Sequence, residues 1–236
     1  MLKIYTDMLE KDIKYDTNIR MDYEDNFKEL CNKEFDIFKK YIALAYELDF
    51  VLADCCKQSN EDKELYTRFI NLRSIDQFMS SNLLYSKGFV VDAITLVRSA
   101  LEDLWIIQNF WYTDTYFNSW KNGCEIKPSE LRNCSAIDNE SKELYKNIYK
   151  DLCNISHCRI NSIAIMSKTH IRVKQEKVYK DFQFKKDYIV LVSSFYIYLL
   201  GVIDAINKKL TNTNINEIKE ELKKISIVDE LIKGGA

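Results

Sequence analysis

The chain has 236 residues, of which 47% are apolar and 30% are charged. This composition indicates a folded protein with a sizeable core rather than a disordered chain, and a net charge of −2 excludes a global polycation for nucleic acid. Five Gly and one Pro are too few for a turn-rich β architecture. We therefore expect an all-α fold: a single helical bundle of five or six main helices over 1–236, with 1–21 and 234–236 peripheral.

Three long helices are predicted in the N-terminal half. Apolar residues at helical spacing favour one helix over 22–57, and "QSNED" at 58–62 is typical of a turn. A second helix is expected over 62–86 and a third from about 89 to 112. Gly88 separates these two, and their close spacing favours antiparallel neighbours.

The C-terminal half is less regular. Residues 113–138 hold the only Pro and predict a long connection with a short helix or two. Residues 160–186 alternate only in part, which leaves a short β-hairpin or an irregular arm as open alternatives. Helices are predicted over the remaining segments, 139–158, 187–209 and 215–233.

The cysteines and the termini indicate a compartment. Seven Cys are an odd number without a disulfide-framework spacing, and the N-terminus is charged and lacks a signal-peptide core. We expect a cytoplasmic protein with reduced thiols. The uncharged run 188–203 is shorter than the roughly 20 apolar residues of a membrane span, so it predicts a buried core helix. No membrane partner is expected.

Charge is distributed unevenly along the chain. Residues 142–187 carry eleven Lys and Arg against five Asp and Glu, a local charge of +6, and the remainder carries −8. This asymmetry is the one electrostatic indication of a polyanionic partner.

The segment "LVRSALEDLWIIQNFW" (96–111) carries a charged pair in an otherwise apolar helix. Arg98 and Glu102 are four residues apart and share a stripe with Trp105, so they are not ordinary surface charges. One interpretation is a structural ion pair, in which Arg98 lies over Trp105 or reaches a carbonyl. The other is a polar pocket that orients a reacting or binding group. Arg73 of the second helix is a candidate member of the same cluster.

A second polar stripe of that helix, about 120° around the axis from Arg98, is predicted to face solvent. Asp92, Ser99 and Asp103 fall at one angle on the helical wheel, and their polarity predicts the water-facing side.

The helix "LYKNIYKDLCNISHCR" (144–159) carries His157, one of only two His in the chain. A His in a last helical turn interacts favourably with the helix dipole and needs no further role. A metal site with Cys153 lacks a zinc-type spacing, and we expect neither a metal nor a cofactor. A nucleophilic pair of Cys153 with His157 is a further reading.

Three motifs together carry a family resemblance: "YSKGFVVDA", the Arg-Ser-x-x-Glu helix that follows it, and "YKDLCNISH". Over about residues 62–160 the chain resembles a group of uncharacterised bacterial all-helical proteins and, more remotely, HEPN-like helical bundles. Ribonucleases of that family use an Arg, a polar residue and a His four to six residues beyond the Arg. They act as dimers, and many belong to toxin–antitoxin or phage-defence systems.

The resemblance implies roles for particular residues. His157 matches the family His and Asn154 its polar companion, but 151–153 are Asp, Leu and Cys, so the motif Arg is absent. Lys150, or Arg98 from the neighbouring helix, could replace it. His157, Arg98, Glu102 and Lys150 are thus the catalytic candidates. Arg73, Asn154 and Arg159 are the substrate-binding candidates.

Two functions are expected. The first is an HEPN-like RNA-directed protein, a metal-independent endoribonuclease effector in bacterial toxin or phage defence. The second is a non-enzymatic helical module that binds a partner protein or small ligand through an Arg98/Glu102 pocket. A homodimer is expected in either case, because the long first helix and the aromatic load exceed what one small bundle easily buries.

Overall fold

The structure is a computed structural model and describes residues 24–25, 27–58, 62–125, 127–132, 139–156, 181–208, 210 and 213–225. Within these residues all regular structure is helical and no strand occurs. The all-α prediction is therefore confirmed. The helices are α1 (Asn32–Gln58), α2 (Asp62–Ser86), α3 (Val90–Tyr112), α4 (Asp114–Lys121), α5 (Pro128–Arg132), α6 (Asn139–Ser156), α7 (Asp181–Asn207) and α8 (Thr213–Lys224).

Most predicted helices lie where the apolar pattern put them, with two differences. The first helix is not continuous from 22, because a bend at Cys31 separates α1 from the helical residues 27–30. The arm predicted over 160–186 is too long, because α7 already begins at Asp181. Residues 160–180 lie outside the described residues, and so do 226–233 of the last predicted helix.

Gly88 ends α2 as predicted. Its φ of 82° lies in the left-handed region that glycine adopts without strain. The amide of Gly88 donates to the carbonyl of Tyr85 and the amide of Phe89 donates to that of Leu84, both at 2.9 Å. This pair of hydrogen bonds closes the helix and turns the chain back sharply. Helix α3 therefore starts two residues after Gly88 and runs antiparallel to α2.

Helix α3 is the central element of the fold. It packs against α2, α6 and α7, and the short helices α4 and α5 also contact it. Helix α1 packs on α2 and α7, and α8 covers α1 and α7. Because neighbours surround α3, even the polar residues Asp103, Gln108 and Asn109 on it are buried. Burial of these polar groups is costly unless they find hydrogen-bond partners.

Helix α7 approaches α3 closely at Gly201. A Cβ atom at this position would lie 2.7 Å from Cδ1 of Leu104. Aromatic packing fixes the same helix on its other side, where Phe195 stacks on Phe78 with ring centroids 4.2 Å apart. The absence of a side chain at Gly201 thus sets the distance between the two most apolar helices.

The apolar part of α7 is longer than its uncharged run suggests. Tyr188–Asn207 has a mean hydropathy of 2.1, and within the described residues it is the one helix long and apolar enough to cross a membrane. The prediction that this segment is too short to span a membrane was therefore wrong. The interpretation as a core helix depends instead on burial, since Tyr188, Phe195 and Tyr198 are fully buried against other helices.

Candidate functional site

Glu102 lies at the contact between α3 and α6, where its closest partner is a tyrosine. The hydroxyl of Tyr149 donates a hydrogen bond to Oε1 of Glu102 at 2.7 Å. Nε of Arg98 lies 3.7 Å from the same oxygen, which is an ion-pair distance but too long for a hydrogen bond. The predicted pairing of Arg98 with Glu102 is present, and the structure adds Tyr149 as the group that Glu102 holds most tightly.

Both members of the charged pair remain partly accessible. The side chain of Arg98 is 20% exposed and that of Glu102 is 27% exposed. The two groups are therefore shielded enough to interact more strongly than surface charges, yet a solute can still reach them. This combination distinguishes the site from a fully buried structural ion pair.

The environment keeps the Tyr149 hydroxyl protonated. Burial raises the pKa of Tyr149, and the hydrogen bond to Glu102 raises it further. A phenol with a raised pKa acts as a hydrogen-bond donor and not as a base at neutral pH. Tyr149 therefore positions the carboxylate of Glu102 and does not compete for the role of proton acceptor.

Aromatic contacts fix the register between α3 and α6. The ring of Trp105 lies edge-on to that of Tyr149, with centroids 5.1 Å apart. One turn further along α3, Nε2 of Gln108 lies 3.2 Å from the hydroxyl of Tyr145. Higher numbers on α3 thus meet lower numbers on α6, so the helices are antiparallel. Continued by one turn towards the start of α3, this register sets Arg98 level with the last turn of α6.

Four other predicted residues, Lys150, Asn154, His157 and Arg159, lie in or directly after α6, and only some of them belong to the described part of the chain. Lys150 is exposed on α6. Asn154 belongs to the helical backbone of α6, although its side chain lies outside the described residues, as do His157 and Arg159. The sequence places His157 directly after Ser156, the last residue of α6. Its predicted role stays a prediction.

Arg73 binds a partner that the sequence did not predict. Its Nε donates to Oδ2 of Asp103 at 2.9 Å, and its Nη2 donates to Oδ1, so the contact is bidentate. The hydroxyl of Ser74 donates to Oδ2 at 3.0 Å. Arg73 thus joins α2 to the face of α3 that carries Asp103. It is not hydrogen-bonded to Glu102, which lies on a different face of α3.

The solvent-facing stripe predicted for α3 was wrong at two of its three positions. Asp103 is only 1% exposed, and Ser99 is half-buried and accepts a hydrogen bond from Nε2 of Gln77 at 2.9 Å. Only Asp92 is exposed. The polar residues point towards α2, which supplies their partners.

The Arg73–Asp103 pair is electrostatically asymmetric. Burial raises the pKa of Asp103, and this effect exceeds the lowering by the hydrogen bonds from Arg73 and Ser74. The hydrogen bond to Asp103 raises the pKa of Arg73, whose side chain is 58% exposed. The buried carboxylate depends on the guanidinium, whereas the guanidinium retains contact with water. This is the pattern of a structural pair.

A second buried polar contact lies beside this pair and was also missed. The hydroxyl of Tyr198, on α7, donates to Oδ1 of Asn71 at 3.0 Å, and both side chains are fully buried. In a sequence, Tyr198 is one more apolar position of a core helix, and Asn71 is one more polar position of α2. Only the packing of α2 against α7 makes them partners.

The described residues give no support to a metal site. Among them, no group of three or more His, Cys, Asp and Glu side chains could hold a metal ion. Cys31, Cys55, Cys56, Cys124 and Cys153 are free thiols. Cys134 and Cys158 lie outside the described part of the chain.

Comparison with known proteins adds no relative. No protein-family model, no curated protein and no solved structure matches this chain. Any function must therefore be argued from the site itself.

Proposed function

We propose that the protein is an HEPN-like, RNA-directed protein that acts as a metal-independent endoribonuclease effector in bacterial toxin or phage defence. The observation that supports this proposal is the antiparallel register of α3 and α6. It brings the partly exposed Arg98 level with the last turn of α6, and His157 follows that helix directly in the sequence. Arg98 can thereby supply the cation that 151–153 lack.

The chemistry requires a base near neutral pKa and a cation for the phosphate. His157 accepts the proton of a ribose 2′-OH as the 2′-oxygen attacks phosphorus. The bond from phosphorus to the 5′-oxygen breaks, and the leaving oxygen takes a proton from water, which leaves a cyclic phosphate and a 5′-hydroxyl. Arg98, with Lys150 at the exposed edge, stabilises the negative charge that develops on the phosphate oxygens.

Two further features support an RNA substrate. The +6 segment 142–187 begins within α6 and extends beyond it, and its excess of Lys and Arg attracts a polyanionic backbone. Glu102 is held by Tyr149 at 2.7 Å, and it lies 3.7 Å from Arg98. The carboxylate thus orients the guanidinium electrostatically and leaves it able to turn towards a phosphate.

The test uses purified full-length protein with mixed structured and single-stranded RNA in a chelator. The wild type should cleave, and His157→Ala should reduce cleavage by at least about a hundredfold, within the range that a general base contributes. The matched control is His170→Ala, which removes the other His of the chain and should cleave like the wild type. Cleavage that survives His157→Ala would contradict the proposed role.

A non-enzymatic binding module is the second candidate. The partial exposure of both Arg98 and Glu102 supports it, because an anionic group of a partner protein or small ligand can approach the guanidinium from solvent, and the 3.7 Å ion pair with Glu102 is a loose one. In this case folded wild type and His157→Ala bind a labelled RNA or acidic peptide equally and do not cleave. Arg98→Met, in contrast, weakens the binding.

A purely structural role for the pair predicts a third pattern. Arg98→Ala then lowers the free energy of unfolding, and Arg98→Met combined with Glu102→Leu recovers much of the loss. Because Tyr149 donates to Glu102, full recovery also requires Tyr149→Phe. In this case neither RNA cleavage nor ligand binding should change in step with the loss and recovery of stability in these variants.

A further inference from the structure

Most of the exposed apolar surface in the described part of the chain lies in one place. Seven large hydrophobic side chains are exposed among the described residues, and six of these seven lie on the neighbouring helices α1 and α2. We call these six the α1–α2 patch: Tyr46, Phe50, Leu65, Phe69, Met79 and Leu83. The seventh, Val190, lies on α7. The hydroxyl of Tyr46 contacts the sulfur of Met79 at 3.6 Å, so the two helices form one continuous surface.

Six residues on the outer side of α2, five of them apolar, follow a regular spacing, and of these Leu72 is half-buried and also packs against the core. Successive members are four, three, four, three and four residues apart. We call them the α2 stripe: Leu65, Phe69, Leu72, Asp76, Met79 and Leu83. This spacing is the heptad pattern with which one helix packs against another of its kind, and a helix whose outer face needed only water would not require it. The outer face of α2 is therefore built to contact a helix.

The α2 stripe is symmetric about Ser74. Leu65 and Leu83 are equidistant from it, as are Phe69 and Met79, and as are Leu72 and Asp76. In an antiparallel pair of identical helices, a two-fold axis on the outer face of α2, level with this buried residue, sets each member opposite its mate from the other copy. A two-fold interface requires such self-complementarity, because the same patch must fit itself.

The charges near the midpoint agree with this pairing. Asp76 is exposed and lies two residues after Ser74, while Arg73 lies one residue before it. Arg73 retains a 58% exposed side chain while it binds Asp103. Across the two-fold axis, Asp76 of one copy and Arg73 of the other lie within one helical turn, which sets opposite charges beside each other.

We propose that a second copy of this chain covers the α1–α2 patch, with the two α2 helices antiparallel about Ser74. The six apolar side chains expose on the order of 700 Å² per copy, close to the ~800 Å² that each partner contributes to a standard stable interface. The proposal stands apart from the catalytic one, because no residue of the site on α3 and α6 belongs to the patch.

The test measures mass in solution. Light scattering and sedimentation equilibrium of the full-length protein should give twice the monomer mass of 27.9 kDa. Phe69→Glu and, separately, Leu83→Lys should weaken association by at least about a hundredfold, because each buries a charge against the apolar surface of the other copy. Both side chains are more than half exposed in the monomer, so the unfolding temperature of dilute protein should stay the same.

The control is Val190→Glu, which adds the same charge at the exposed apolar residue outside the patch and should leave the dimer intact. The register is tested by mixing Leu65→Cys with Leu83→Cys under mild oxidation, which should give a disulfide between these two positions identified by mass spectrometry. A monomeric wild type would overturn the proposal. So would a dimer that survives both patch variants, or one in which the two cysteines do not join.

Discussion

The Arg73–Asp103 pair allows a quantitative test, because its two members differ in burial. Arg73→Met removes the cation and leaves a carboxylate that is 1% exposed with only Ser74 as a hydrogen-bond donor among the described groups. Asp103→Leu removes the anion and leaves a guanidinium that water can reach, since the Arg73 side chain is 58% exposed. We expect the first change to cost about 3 kcal/mol and the second about 1 kcal/mol, since removing one partner of a buried pair costs ~3–5 kcal/mol and an exposed charge loses little.

The penalty of Arg73→Met should depend on pH. Burial already raises the pKa of Asp103 in the wild type, and Arg73 is the largest influence that lowers it. Without Arg73 the pKa of Asp103 rises further above its unfolded value. The folded variant then holds a proton that the unfolded chain releases, so its stability is greatest below about pH 4 and falls as pH rises towards the folded pKa, by at most ~1.4 kcal/mol per pH unit.

Urea unfolding of the wild type, both single variants and the double variant at pH 4.5 and pH 7.5 measures these quantities. The double variant should recover most of the loss caused by Arg73→Met, because it leaves no buried charge. Equal penalties for Arg73→Met at both pH values would refute the argument. A larger cost for Asp103→Leu than for Arg73→Met would refute it as well.

Three further outcomes are expected. Gly201→Ala should lower the free energy of unfolding by about 1–3 kcal/mol, because the new Cβ would lie 2.7 Å from Leu104. In a Leu104→Ala background, where this clash is absent, the same change should cost nothing, and urea unfolding of the four proteins measures the difference. Tyr149→Phe should cost about 1 kcal/mol, since the lost hydrogen bond has a charged acceptor in Glu102 that is 27% exposed; an unchanged midpoint would contradict it. Burial raises the pKa of Cys31 to about 12, so roughly one thiol in ten thousand is ionised at pH 8, and peptide mapping after brief alkylation should find it unmodified until the protein unfolds.

The apolar pattern predicted the helices well for a physical reason. Long amphipathic or apolar helices with few Gly and Pro leave little choice of secondary structure, and Gly88 supplies the positive φ that ends α2. The bend at Cys31 could not be predicted, because 27–35 keeps its helical spacing through the bend and the backbone bonds Cys31–Phe27 and Phe35–Cys31 remain. Phe27 packs against Tyr188, which lies far away in the sequence, and no local pattern contains such a contact.

The burial of the polar residues of α3 was predicted less well. A helical wheel gives the angle of each residue around the helix axis but not its position along that axis. Asp92 and Asp103 fall at the same angle, yet they are three turns apart, and only the second lies where α2 covers the helix. A wheel also treats each helix alone. Asp103 is buried because Arg73 of α2 reaches it, and no pattern within α3 contains that information.

The two charged pairs of α3 show why Arg98 remains the functional candidate. In the pair with Arg73, the carboxylate is sequestered and held by two hydrogen bonds from one guanidinium, a geometry that a ligand could enter only by leaving a buried charge unpaired. In the pair with Glu102, both side chains are partly exposed and 3.7 Å apart, and Tyr149 donates a hydrogen bond to one oxygen of the carboxylate. If the Arg98 guanidinium moves to a phosphate, Glu102 therefore keeps the hydrogen bond from Tyr149. Of the two pairs, this one leaves the less buried and better supported carboxylate behind, which favours it as the one that holds a binding or catalytic cation.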